Sequence, residues 1–435
     1  MRPALLLFLA VSVACSQVTL IHAGRVLDVK AGRHLERYSI LIEGDRIQSV
    51  HPTAGETVPP NARILDFTNA TVLPGLIDTH THLLHENDLR LGSEDTSLIG
   101  EIAKRGTTAR ALFGVAKARE MLEAGFTSVR DLGNSGVNGD VALRDAIEAG
   151  WFPGPRMMVS TRAISLVGGQ IGRLPIEGQS LINQEYVQIS GVDEARKAVR
   201  QAFYDGADCI KIIADNGGQI MSDEELKAIV DEVRRGEKLG FGKRPVAAHA
   251  VPDAAVRAAI AAGVDSIEHG YGISQASLQL MADKKIYFVM TESNDDPEFY
   301  AYLNQISSFW NSGRLLRGEQ LEHYKAANKQ RIRSAFELGV PVAFGSDSYT
   351  RQPGKTRGAA ALGKLFAYSE AGVPNAKVLQ SATSNAANLL GWNYRLGALE
   401  KGLLADLIAV EGDPLTDIQS LKNIRLVMKG GQQYK

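Results

Sequence analysis

The stretch Asp253-Ala254-Ala255-Val256-Arg257-Ala258-Ala259-Ile260-Ala261-Ala262-Gly263-Val264-Asp265-Ser266-Ile267-Glu268-His269 contains one complete structural unit. A helix-period segment ends at Gly263, where glycine takes the left-handed conformation that other residues resist. The short apolar strand at 265–267 follows almost at once, with a histidine at its end. The same unit recurs over about residues 71–390. Helix stops stand at Gly125, Gly206, Gly240, Gly339 and Gly372. One helix starts with a capping box, Ser222-Asp223-Glu224-Glu225, in which the serine and the glutamate satisfy two backbone N–H groups. Strand candidates fall at 71–77, 127–130, 157–160, 209–213, 246–249, 265–267, 286–290 and 342–345. Short buried strands alternating with helices imply a parallel sheet with right-handed crossovers. Eight of them favour an α/β fold of the (β/α)8 TIM-barrel kind over an open doubly wound sheet.

Outside this middle the pattern is β. Short strands are expected at 19–21, 25–27 and 39–42, and Gly44-Asp45 turns the chain into Arg46-Ile47-Gln48-Ser49-Val50 as a hairpin. Similar strands return at 406–410 and 424–428. The expected division is therefore a small β-sandwich domain built from both chain ends, residues 17–70 plus 395–435, around a catalytic barrel at 71–394. Ahead of it, residues 4–14 run without a charge, too short to span a bilayer as a helix and suited to a signal peptide of residues 1–16. Ala14-Cys15-Ser16 offers a small-residue cleavage site, with Cys15 as the alternative lipid-anchored first residue of a lipoprotein. The chain is expected to be exported: periplasmic, secreted or membrane-anchored.

Composition removes several function classes. The 435 residues carry 48 basic and 49 acidic side chains, a formal net charge of −1, without the basic face or tail of a nucleic-acid protein. Two cysteines, Cys15 and Cys209, exclude a disulfide scaffold and a cysteine-rich zinc module. The absence of G-x-G-x-x-G behind a strand, of a Walker A motif and of a G-x-S-x-G elbow disfavours dinucleotide, P-loop and serine α/β-hydrolase enzymes.

Against that background nine histidines carry weight by position. His80 and His82 follow an apolar strand in Pro74-Gly75-Leu76-Ile77-Asp78-Thr79-His80-Thr81-His82; residues i and i+2 point to one side of a strand, so the pair can share a metal ion. His249 ends the fifth strand, His269 the sixth and Asp347 the eighth, in Gly345-Ser346-Asp347-Ser348. Lys211 lies inside the apolar strand at 209–213, where a charged amine pays a large desolvation cost and a carbamate formed with carbon dioxide would be an anionic bidentate ligand. Singly, each has an even chance of being a satisfied core polar group. Jointly, six ligand-type residues at strand ends that a parallel barrel gathers on one face make a metal site.

His80-Thr81-His82, Lys211, His249, His269 and Asp347, in that order, resemble the amidohydrolase superfamily of metal-dependent hydrolases, over nearly everything behind the signal segment and through the closing Lys401-Gly402-Leu403-Leu404-Ala405-Asp406-Leu407. Ser266-Ile267-Glu268-His269-Gly270 and Pro153-Gly154-Pro155-Arg156 are similar to its imidazolonepropionase-like and prolidase-like dipeptidase branch. The resemblance implies two divalent ions, zinc first among them. His80 and His82 hold one and His249 and His269 the other, carbamylated Lys211 bridges both, and Asp347 binds the first while handling the proton. It implies attack of a metal-bridging hydroxide on an amide or peptide bond of a dipeptide (Xaa-Pro-like) or an N-acyl amino acid. A cyclic amide or lactone hydrolase and a non-catalytic metal-binding barrel are the alternatives. Deamination loses ground because Pro252 stands where such enzymes carry a glutamate.

Three positions depart from that branch. Gln170 follows Val167-Gly168-Gly169 where relatives carry a histidine that polarises the scissile carbonyl. Ala250-Val251-Pro252 follow His249 in place of a second histidine, and the loop Tyr349-Thr350-Arg351-Gln352-Pro353-Gly354 lacks one. Substrate contacts are expected from Gln170, Tyr271, Arg351 as a partner for a carboxylate, and Trp310 in an aromatic-rich stretch at 299–324. The expected partner is a small-molecule or dipeptide substrate, with no nucleic acid, and the chain is expected to form a homo-oligomer.

Overall fold

The computed structural model describes residues 17–88, 94–292 and 318–435. The signal segment with Cys15, and Trp310 with most of its aromatic neighbours, lie outside the described residues. Both chain ends meet in one sheet. Its order is Gln432–Gln433, Ile424–Lys429, Leu407–Glu411, Arg63–Pro74, Val18–Asp28, Arg33–Glu43 and Arg46–Pro52. Ile21, Val26, Ile40, Ile42, Val72, Leu407, Leu426 and Met428 form its buried core. The expected segments at 19–21 and 25–27 are one strand, Val18–Asp28, whose pairing with Arg63–Pro74 shifts register between Ala23 and Arg25. The expected sandwich is thus observed as one continuously hydrogen-bonded seven-stranded sheet. The hairpin at Gly44-Asp45 forms as expected, with Glu43 opposite Arg46.

The first barrel strand was expected at 71–77, but the chain breaks there. Arg63–Pro74 belongs to the terminal sheet, pairing Leu407 with Pro74, and Leu76–Thr81 begins the parallel array. Gly75 makes the break possible: a Cβ there would lie 2.1 Å from Thr127 Oγ1, so only glycine lets the two layers approach. An apolar run alone shows no such break, because both layers bury the same residue types.

Parallel pairing joins Leu76–Thr81, Phe126–Asp131 and Arg156–Val159. A second parallel set runs Tyr287–Val289, Ser266–Gly272, Val246–Pro252, Ile210–Ile213. The short strands Ala163–Ser165 and Tyr186–Gln188, which periodicity did not reveal, extend that set. Further backbone bonds link the sets. Asp208 N donates to Val159 O (2.8 Å), Ala343 N to Phe288 O (3.1 Å), Thr79 N to Phe344 O (2.8 Å) and Asp347 N to His80 O (2.8 Å). The eighth segment, 342–345, is held by these bonds and one bridge, Phe288 with Val342, rather than by a regular ladder. The architecture is a TIM-barrel-type α/β fold. All six expected glycine helix stops take left-handed φ, between 71° and 98°, and the Ser222–Glu225 capping box is present in both halves.

Candidate metal centre

Parallel strands end on one side, so the side chains at their C-terminal ends converge. His80 is fully buried; its Nε2 lies 3.7 Å from Asp347 Oδ1 and 3.5 Å from Lys211 Nζ. His82 Nδ1 donates to Gly133 O at 2.8 Å, which turns Nε2 toward Asp347 Oδ1 at 3.3 Å. The His269 ring stands 4.9 Å from that of His80 and 4.6 Å from that of His249. Among the described residues, His80, His269 and Asp347 each offer a donor atom within 4.8 Å of the others. His82, Lys211 and His249 surround that group, so all six expected residues come together.

The electrostatics suit a cation. Burial, then the Lys211 amine, push the His80 imidazole down to about 4. Burial, Lys211 and His80 push His249 down to about 3, and burial with the neighbouring rings holds His269 well below its ordinary value. Neutral imidazoles keep the lone pairs that a metal needs. Burial would raise Asp347, but His80, His82 and His269 outweigh it and keep the carboxyl well below its usual range. Its Oδ1 is buried without a hydrogen-bond partner. An orphaned carboxylate oxygen facing the His80 and His82 imidazoles, with His269 3.8 Å from the other oxygen, is the donor chemistry of a divalent metal, so these residues fit one. Burial brings the Lys211 amine down to about 8 against the pull of Glu268 and Asp347. His269 and Asp347 hold φ of +71° and +50°, a strain of about 1–3 kcal/mol each that clusters at functional sites.

The sequence reading missed what holds His80. Glu268 and Arg130 are both wholly buried. Glu268 Oε2 accepts from His80 Nδ1 at 2.7 Å, while Arg130 Nη2 donates to Glu268 Oε1 at 2.9 Å and Arg130 Nε to Thr79 O at 2.6 Å. Ser266 Oγ donates to the same carboxylate. Burial would raise Glu268, but Arg130 and His80 bring it down to about 2. The signal existed: opposite charges inside one strand expected to be buried and directly behind another, where such residues survive only in pairs.

The substrate residues separate. Gln170 Nε2 lies 3.3 Å from His249 Nε2, at the metal centre. The Tyr271 hydroxyl is 2.8 Å from Thr291 Oγ1, which is 2.9 Å from His269 Nδ1. Arg351 turns away and pairs with Asp88 at 3.3 Å. Cys209 is a buried free thiol whose pKa burial pushes up, an inert packing group. His85, with its ring on Glu101, is a structural contact.

The model of the amidohydrolase family matches residues 71–434. The chain is 29% identical to ochratoxinase of Aspergillus niger over 454 aligned residues, covering 97% of this chain and 87% of that one. Among solved structures it is similar to a Xaa-Pro dipeptidase with bound methionine (32% identity, TM-score 0.80, 96% of this chain and 100% of that one). It is also similar to a prolidase complexed with N-methylphosphonate-L-proline (28% identity, TM-score 0.79, 96% and 100%).

Proposed function

Since the chain belongs to the amidohydrolase family and is thereby a hydrolase of C–N bonds, we propose that it is a binuclear metal-dependent amidase cleaving a dipeptide or an N-acyl amino acid. The observation that carries this reading is the convergence of His80, His269 and Asp347 donors within 4.8 Å, beside His82, His249 and a lysine buried in a core strand. His80, His82 and Asp347 would hold one ion and His249 and His269 the other, and Lys211, as the carbamate formed when its amine adds carbon dioxide and loses a proton, would supply an anionic oxygen ligand. Zinc suits the nitrogen and oxygen set. A divalent ion there supplies Lewis acidity toward the carbonyl and lowers the pKa of water to about 7.

The chain's own residues do the rest. Asp347 takes the proton of the attacking water at Oδ2, the oxygen left over when Oδ1 serves as a metal donor, and returns it to the leaving nitrogen. Gln170, beside His249, offers its amide N–H to the scissile carbonyl where relatives carry a histidine. The same proposal includes closure of the eight parallel segments into a (β/α)8 barrel, the division at 70 and 395, and export under the signal segment, which mass spectrometry of the mature N-terminus tests.

The deciding experiment is a panel of Xaa-Pro dipeptides, N-acyl amino acids, imidazolone-type rings and lactones, run with zinc and bicarbonate supplied. Release of a free amino acid from the open-chain amides is expected. Turnover of rings alone overturns the peptidase reading.

A further inference from the structure

We propose that Arg357 is a positioning residue for one half of the metal centre. By fixing the backbone that carries His82, it holds the set His80, His82 and Asp347 in register and leaves the set His249 and His269 untouched. The inference rests on the binuclear reading and goes beyond it, because Arg357 is no ligand and acts through another residue. Arg357 stands behind the eighth segment and is buried. Its guanidinium turns to the loop behind the first parallel strand: Nη1 donates to His82 O at 2.9 Å and Nη2 to His85 O at 2.8 Å. His85 N also donates to His82 O, at 3.3 Å. Residues 82–85 therefore close a turn, and one guanidinium holds the carbonyls at both of its ends.

The base of this clamp is rigid. Arg357 opens the helix Arg357–Glu370, whose N-cap Thr356 accepts from Ala359 N at 3.2 Å. Arg357 N donates to Glu120 Oε2 at 2.7 Å. A Cβ at Gly358 would lie 2.4 Å from Glu120 O, so the helix start is seated directly on the helix Thr107–Glu123. The rest of the loop behind the eighth segment runs along the loop behind the first strand. Asp347 N donates to His80 O (2.8 Å), Asn87 N to Tyr349 O (2.9 Å) and Arg351 N to Asn87 O (2.9 Å). The Tyr349 ring stands edge-on to His82 at 5.2 Å and tilted to His85 at 5.3 Å. The three donors of the first set thus sit on two stretches joined by backbone bonds, and Arg357 closes their far end. His249 and His269 lie in the strands Val246–Pro252 and Ser266–Gly272, outside these bonds. Burial lowers the Arg357 pKa against the pull of Glu86 and Glu120; a cation buried on two neutral carbonyls is costly. What arginine offers in return is a planar fork that donates two hydrogen bonds in a fixed geometry. The bond from His82 Nδ1 to Gly133 O sets the rotation of that ring, and Arg357 sets the backbone from which the ring starts.

The test is a double-mutant cycle read by zinc binding, without substrate. Stepwise zinc affinities are measured with bicarbonate supplied, by competition against a chromophoric chelator, and unfolding midpoints of the metal-free proteins control for folding. Arg357→Met is expected to weaken one ion by roughly tenfold or more, the range for partners that orient a ligating histidine, and to leave the other within about twofold. In a His82→Ala background, where the first set is already broken, Arg357→Met should change the remaining binding by less than about twofold. In a His249→Ala background it should cost its full factor, as independent sites do. Arg357→Lys keeps the charge but not the fork; it is run through the same cycle, with the same pattern expected at smaller amplitude. Wild-type affinities in both Arg357 variants overturn the proposal. So does equal weakening of both ions, or a loss that adds in full to that of His82→Ala, because either makes Arg357 a general structural residue. A wild-type protein with a single zinc that His82→Ala removes overturns the binuclear reading alone, since the coupling is still read on that ion. A wild-type protein that binds no zinc overturns both.

Discussion

Replacing Glu268 with glutamine changes one atom and leaves no good arrangement. The carboxylate accepts on both sides: His80 Nδ1 at Oε2 (2.7 Å), and Arg130 Nη2 (2.9 Å) together with Ser266 at Oε1. A glutamine has one acceptor and one NH2 group. If its oxygen faces Arg130, the NH2 faces His80 Nδ1. The ring must then protonate at Nε2 instead, and the lone pair aimed at Asp347 and Lys211 is lost. If the amide is flipped, the NH2 faces Arg130, whose guanidinium is wholly buried and left without its counter-charge. Breaking a buried pair from one side costs about 3–5 kcal/mol, and removing the outer partner of a ligating histidine costs roughly 10–100-fold in metal affinity. Glu268→Gln is therefore expected to lower the thermal unfolding midpoint and to weaken metal binding by one to two orders of magnitude (roughly 1.4 kcal/mol per decade), read by competition against a chromophoric chelator. Wild-type metal affinity together with a wild-type midpoint would refute the reasoning, because neither orientation of the amide permits both.

Three further outcomes follow from local geometry. Gly345→Ala places a Cβ 2.3 Å from Val289 Cγ1 and 2.7 Å from His80 Cβ, so calorimetry should find about 1–3 kcal/mol of overpacking loss, and an unshifted midpoint would mean that the eighth segment is not packed on His80. Lys211→Ala, assayed for metal after dialysis with and without bicarbonate, is expected to hold fewer ions than wild type in both conditions; full loading would exclude a bridging carbamate. Burial, reinforced by Asp131, pushes the Asp140 carboxyl up to about 7 from 3.8. The folded state therefore keeps a proton that the unfolded chain releases, and this group's contribution to stability falls as pH rises from about 4 to about 7. Asp140→Asn should flatten the pH–stability profile across that window, whatever its effect on absolute stability, and a slope equal to wild type would contradict the shift.

Much of the site was legible because its chemistry is written in residue types that rarely survive in buried strands without a task. His80, His82, Lys211, His249, His269 and Asp347 each stand at or in a strand of the repeating unit, and that unit is marked by glycines whose left-handed φ no other residue adopts cheaply. Arg351 shows the reverse case. A cation behind the eighth strand has the right address for a carboxylate, but a long side chain reaches several places, and Asp88 takes it.

The amino-acid sequence by itself determined the alternation of helix and strand, the order of the ligand-type residues and the β character of both ends, because each follows from local periodicity and local backbone preference. Only the tertiary structure decided the rest. The break at Gly75 depends on Thr127 from another strand, and the terminal strands merge into one sheet through pairings such as Leu407 with Pro74. Arg130 and Glu268 meet across 138 residues of chain to orient His80. Thr291 links Tyr271 to His269 from 20 residues further along. These are contacts between residues distant in sequence, and a hydrogen bond carries no trace in the spacing of its partners. It exists only once folding has brought donor and acceptor within about 3 Å.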